Sequence, residues 1–258
     1  AVELAGGRCV HVPLALPGFG IDWQRLQDAL SSKTRLIILN SPHNPSGALI
    51  SQAALDQLAA LIRGRDIYLI SDEVYEHLVF DGAKHVSVVA HEELYQRAFV
   101  VSSFGKSHHV TGWKTGYVVA PPALSAELRK VHQYVSFCGV TPLQWALADY
   151  MAEHPEHVDE LPAFYQAKRD LFCELLTGSR FSFTRAAGSF FQLLNYSAIR
   201  PDVDDLAMAE WLTREHGVAA IPVSVFYQDP PKDLRVVRLC FAKREDTLRR
   251  AAEKLAAI

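Results

Sequence analysis

Two lysines eight residues apart, Lys106 and Lys114, lie in SSFGKSHHVTGWKTG at residues 102–116, a stretch too rich in glycine and serine for an ordinary helix. A lysine amine can bond to a carbonyl carbon or, protonated, hold an anion as a point charge. Three more polar features stand at or within apolar runs. They are NSPHNPSG at 40–47 after RLIIL, SDEVYE at 71–76 after IYLI, and Arg238 inside VVRLCFAK. Each has an ordinary reading alone. Two prolines, asparagines and a glycine describe a tight loop. Asp72 suits the cap of a helix begun by EVYEHL, and Tyr75 a half-buried aromatic. Lys106 suits a solvated loop, and Arg238 a structural ion pair.

The elements that must position these residues alternate. RCVHVPL (8–14), RLIILN (35–40), DIYLISD (66–72), AFVVSS (98–103) and TGYVVAP (115–121) are expected as strands buried on both faces. Helical spacing fills DWQRLQDALSS (22–32) and SQAALDQLAALIRG (51–64), with Asp22 and Ser51 as N-caps. This alternation predicts an α/β fold, a mostly parallel sheet sandwiched by helices. Ligands gather beyond the carboxyl ends of such strands, where the polar stretches fall. From about residue 122 long helices take over. A smaller C-terminal α+β unit follows, with SFFQLLNY and VVRLCFAK as strands, DDLAMAEWLTREHG between them and REDTLRRAAEKLAAI as a final amphipathic helix. The expected division is 1–160 for a large domain and 161–258 for a small one.

Bulk properties narrow the partners. The chain has 258 residues, 49% hydrophobic and 21% charged, with a net charge of −3, which favours small molecules over nucleic acid or an acidic membrane surface. The four cysteines, Cys9, Cys138, Cys173 and Cys240, form no C-x-x-C pair, so no metal site is expected. No run reaches the roughly 18 apolar residues that span a bilayer, and no signal peptide opens the chain, so a cytoplasmic location is expected. The opening AVELAGGRCVHVPL reads like the interior of a domain, and an N-terminal part is expected to be missing.

Taken together, in this order and at these strand ends, the stretches resemble the class I/II pyridoxal-phosphate aminotransferases of fold type I. The matches are Asn40 to Gly47, Ser71 to Glu76, the S-x-G-K-x-x-x-x-x-G-W-K-x-G run from Ser103 to Gly116, and R-x-C-F from Arg238 to Phe241. The resemblance implies pyridoxal 5′-phosphate as cofactor and Lys106 as the catalytic Schiff-base lysine. Asp72 is implied beside the pyridine nitrogen, Asn44 and Tyr75 at the ring oxygen, and Ser103 and Lys114 at the phosphate. Arg238, with Asn44, is implied at the substrate α-carboxylate.

The spellings SPHNPSG, GWK and RKVHQY are closest to the branch holding bacterial methionine aminotransferase and the kynurenine and glutamine transaminases. The implied reaction is ping-pong transamination of an uncharged sulfur-containing or aromatic amino acid, methionine first, with a 2-oxo acid. A cysteine-conjugate β-lyase and an aminotransferase-like sensor domain of a regulator are the alternatives. The family also implies a homodimer with shared active sites, and Phe137 falls where relatives insert side chains into a neighbouring subunit. His108 and His109, being adjacent, are a poor metal pair, and HPEH at 154–157 reads as a helix junction.

Overall fold

The computed structural model describes residues 1–258. Its strands are β1 (Leu36–Asn40), β2 (Tyr68–Asp72), β3 (Ala98–Ser103), β4 (Gly116–Val119), β5 (Phe191–Asn195), β6 (Ile221–Pro222) and β7 (Val236–Cys240). Its α-helices are α1 (Trp23–Ala29), α2 (Gln52–Ile62), α3 (Glu92–Tyr95), α4 (Phe104–Ser107), α5 (Pro122–Val135), α6 (Thr141–Glu153), α7 (His157–Leu175), α8 (Asp205–His216) and α9 (Glu245–Ala256). Asp22, Ser51 and Asp204 cap their helices by accepting the backbone N–H of Arg25, Ala54 and Ala207. Gly217, at φ 62°, ends α8 in the left-handed conformation that glycine adopts freely.

The first sheet has the order β1-β2-β3-β4, parallel except for β4, which runs antiparallel to β3. Its burial alternates. Leu69, Ala98 and Val100 face a core shared with Leu26, Leu55, Leu58, Ile62, Val88 and Leu94 from the flanking helices. The opposite face leaves Leu36, Ile38, Tyr68 and Val118 exposed, Ile38 at 55%. The strands are therefore buried on one face rather than both, because no element of the chain covers the second face. α5 buries no residue and α6 only Leu147. Residues 8–14 form no strand either. A β-branched run needs a partner ladder, and this one has none beyond the isolated Ala15–Gly20 bridge that follows it.

The second sheet is antiparallel, order β5-β7-β6, with α7, α8 and α9 around it. Its core unites Leu161, Tyr165, Phe172, Leu194, Met208, Leu212, Val237, Phe241 and Leu248. The same core takes in Tyr75, Leu78 and Phe80, which follow β2. Residues 74–77 form turns, not the helix that EVYEHL suggests, and Leu78 instead accepts Ser189 N–H through its carbonyl. A second tie is Arg169 on α7, whose side chain is 0% exposed and donates to Asp81, Asp170 and the Ala186 carbonyl. HPEH spans the junction between α6 and α7. No helix is long and apolar enough to cross a membrane.

Candidate active site

The ends of β1, β2 and β3 bring the polar stretches of the first sheet together. Parallel pairing sets Asn40 opposite Asp72, and β3 hands on directly to α4, which carries Lys106. Ser103 caps that turn by accepting Gly105 N–H at 3.2 Å. A Cβ on Gly105 would meet the Thr111 backbone at 3.0 Å, so glycine lets the turn close over the following segment.

Lys106 Nζ lies 5.6 Å from the ring centroids of both Tyr75 and Phe190. These rings hold the ammonium by their electron-rich faces. Asp72 adds electrostatic attraction from the end of β2. Burial raises the Asp72 pKa above the usual carboxylate value, while a hydrogen bond from Val74 N–H at 3.3 Å and the charge of Lys106 pull it back. No protein donor reaches Asp72 Oδ2.

The neighbouring carboxylate behaves oppositely. Burial pushes Glu73 up, but hydrogen bonds from His85, Ser87, Val88 N–H and Ser71 outweigh it, and its pKa is lowered overall. Adjacent in sequence and facing opposite ways, Glu73 is a structural anchor and Asp72 an acceptor with capacity to spare.

Tyr75 is buried, and burial drives its hydroxyl pKa well up, partly opposed by Arg238. Its ring packs edge-on to Phe190 and Phe191. Phe191 carries the second cation, since the Arg238 guanidinium carbon sits 3.9 Å from its centroid and 5.2 Å from that of Phe226. Arg238 lies in the central strand β7, opposite Leu193 and Ile221. Its Nη1 donates to Asn44 Oδ1 at 2.6 Å, a contact across 194 residues of sequence. It pairs with no carboxylate, and burial lowers its pKa. The structural ion pair that an arginine in a strand suggests is therefore absent.

Lys106, Asp72, Tyr75, Asn44 and Arg238 thus form one connected group. Ser103 adjoins it through the α4 turn. Lys114 stands apart, exposed at φ 56° and without a hydrogen-bond partner, two residues before Gly116. Gly116 pairs with Ser103, and its backbone approaches so closely that a Cβ would lie 2.5 Å from Ser102 O. That approach holds the Lys114 loop at the end of β3.

Sequence reasoning missed Phe190 and Phe191, which support the two cations. SFFQLLNY reads only as a strand, and the doubled aromatic directly after Gly188 and Ser189 was the available signal. His108 Nδ1 is 2.8 Å from Ser107 Oγ, and His109 Nδ1 is 3.0 Å from Tyr165 OH. His157 Nε2 donates to Ser107 O at 2.8 Å, so the His108 and His157 imidazoles both bind Ser107, at the end of the Lys106 turn. Phe137 is 77% exposed, just past α5.

A cavity of about 320 Å³ opens beside Asn44. Phe19, His43, Phe226 and Tyr227 line it, with His11 and Asp229 also on its wall. Burial lowers the pKa of His43 to about 4, so this imidazole is neutral near pH 7.

Comparison with known proteins places these observations in a family context. The family model described as "Aminotransferase class I and II" matches residues 1–255. Methionine aminotransferase of Escherichia coli strain K12 is 51% identical over 255 residues, covering 99% of this chain and 66% of that protein. Human kynurenine–oxoglutarate transaminase 3 is 34% identical over 279 residues, covering 98% of this chain and 62% of that protein. The crystal structure of YbdL from Escherichia coli, described as identifying a methionine aminotransferase function, superposes with a TM-score of 0.95 at 50% identity. It covers 99% of this chain and 67% of that one. The chain spans about two thirds of the length of the relatives it matches.

Proposed function

Because the chain belongs to the class I and II aminotransferases, we propose that it exchanges an amino group between an uncharged sulfur-containing or aromatic L-amino acid and a 2-oxo acid, with methionine the first candidate. The family uses pyridoxal 5′-phosphate, and the residues present fit that group. Asp72 Oδ2 and the Tyr75 hydroxyl have no partner in the protein, and each suits a polar atom of a hydroxypyridine. When bound, the cofactor supplies an aldehyde that takes up the amine and a ring that delocalises the electron pair left at the substrate α-carbon.

The chain's own residues do the rest. Lys106 Nζ would hold the cofactor and would accept the proton leaving the substrate α-carbon. Asp72 would keep the ring nitrogen protonated, because a nearby carboxylate favours the cationic form. Tyr75 and Asn44 would hydrogen-bond the ring oxygen, while Ser103 and Lys114 would hold the phosphate. Arg238 binds the α-carboxylate with its paired donors.

The observation that carries this reading is Arg238 itself, a guanidinium on Phe191, tied to Asn44 and without a carboxylate partner. The aromatic side chains of Phe19, Phe226 and Tyr227 in the cavity beside Asn44 support an uncharged substrate side chain. The exposed apolar residues Val131, Tyr134, Val135 and Trp145 of α5 and α6 support association of two copies.

The test is the absorbance of the purified protein with added pyridoxal 5′-phosphate. A visible band lost in Lys106→Ala, together with turnover of methionine or phenylalanine, is the expected result. A band that survives the substitution, or turnover of aspartate alone, overturns the reading.

A further inference from the structure

Asn40 ends β1 and opens the NSPHNPSG stretch, yet it takes no part in the chemistry above. Its side chain bridges two residues that do. Nδ2 donates to the Asp72 carbonyl at 3.0 Å, and Oδ1 accepts Asn44 N–H at 2.8 Å. The two partners fix the orientation of the amide, since a carbonyl can only accept and an N–H can only donate. We propose that Asn40 is a positioning residue, a strut that sets the separation of Asp72 from Asn44. This rests on the roles given to those two residues above.

Three observations give the strut its weight. First, Asn40 lies directly opposite Asp72 in the parallel register, so its side chain needs no detour to reach that peptide. Second, the loop it opens has few donors of its own, because Pro42 and Pro45 carry no N–H. Asn40 Oδ1 is the only acceptor for Asn44 N–H, while the other internal ties are His43 N–H to Ala48 O, Gly47 N–H to His43 O, and Ser46 Oγ with His43 Nδ1 and Ala48 N–H. Third, the Asn44 side chain passes the constraint on, since its Oδ1 accepts from Arg238 Nη1. The carboxylate beside the ring nitrogen, the amide beside the ring oxygen and the guanidinium are thereby held to one frame. Among side chains of this size only a carboxamide offers a donor and an acceptor on one rigid plane. Aspartate keeps the acceptor alone, and alanine keeps neither.

Two readouts besides activity separate positioning from plain stability. One is the pH midpoint of the visible band in the protein loaded with pyridoxal 5′-phosphate, which Asp72 and Asn44 set. The other is hydrogen exchange of the Asn44 amide without cofactor. Asn40→Ala is expected to move the midpoint by about one pH unit, a tenfold change in the proton equilibrium. It is also expected to speed exchange of the Asn44 amide by about tenfold or more. Asn40→Asp is expected to move the midpoint while the Asn44 amide stays protected.

An unchanged midpoint and unchanged exchange in Asn40→Ala overturn the proposal, as does a change in melting temperature alone. If Asn40→Ala does not fold, the midpoint of Asn40→Asp decides by the same criterion. Asp72→Ala and Asn44→Ala serve as controls. If both leave the parent band unmoved, the roles of those residues fall and the strut falls with them. If they move it and Asn40→Ala does not, the strut alone is wrong.

Discussion

In the first sheet the residues suited to chemistry stand at or just past the ends of strands, whereas in the second sheet they sit on the strands themselves. Asn40, Asp72 and Lys106 occupy the C-terminal edge of a parallel array, where turns leave side chains and peptide groups free. Arg238 lies mid-strand, and Phe191 is the first residue of β5. The packing differs too. The second core is enclosed by three helices, while the first sheet is covered on one face only. Lys106 and Asp72 therefore occupy the edge of the open layer, and the Arg238 guanidinium, held on Phe191 and Asn44, belongs to the closed one. A group that must move protons gains from neighbours that can turn, and a group that only has to be in the right place gains from rigid packing.

Five substitutions at four residues press on this contrast. Arg238→Ala removes the fixed receptor and is expected to lower kcat/KM by about a thousandfold, or about 4 kcal/mol, as when one partner of a buried charge pair is truncated. Arg238→Lys should recover little, because a point charge does not reproduce the paired fork. Steady-state kinetics with a range of amino acids measure both. A loss under tenfold would make the second sheet a bystander.

Arg169→Ala, in the closed layer, is expected to cost about 3 kcal/mol of unfolding free energy in urea, since it leaves Asp81, Asp170 and the Ala186 carbonyl without their shared donor. Activity per folded molecule should be retained.

Glu73→Gln acts on the open layer and should cost about 2 kcal/mol at pH 7 by disturbing a hydrogen-bonded carboxylate. The pH dependence has a definite sign. Because the folded pKa of Glu73 is held below its ordinary value, its contribution is present above the unfolded pKa of about 4.3 and is lost as pH falls through the folded value. Denaturation curves from pH 7 down to pH 3 should therefore fall more steeply for the parent than for the variant.

Tyr134→Ser is the smallest. Its ring is 86% exposed, so the monomer should change by less than about 0.5 kcal/mol. Sedimentation at two concentrations should instead show weaker self-association.

The legible parts of the molecule were those set by short-range chemistry. Asp22 and Ser51 stand next to helical patterns and cap them as their side chains require. AFVVSS was bounded by its own composition, and β3 occupies residues 98–103 as expected. What failed was long-range. RCVHVPL has the composition of a strand but no partner to pair with. The one-sided burial of the sheet cannot be read from apolar runs, since those runs are the same whether or not something covers them.

Within the site, the residue types of Lys106, Asp72 and Asn44 were readable at strand ends. The links joining them were not. The Arg238–Asn44 contact crosses 194 residues, and Asn40 reaches Asp72 across 32. Phe190 and Phe191 offered only a weak signal as cation supports, because an aromatic in a strand is usually core.

The planting of Tyr75, Leu78 and Phe80 in the second core has a mechanical consequence. Tyr75 is three residues from Asp72, so the chain between them acts as a short tether. Any tilt of the C-terminal layer pulls on the peptide that presents the Asp72 carboxylate, while Asn44 is drawn along through Arg238. The site is less a cleft between two jaws than a joint whose pin is fixed in both.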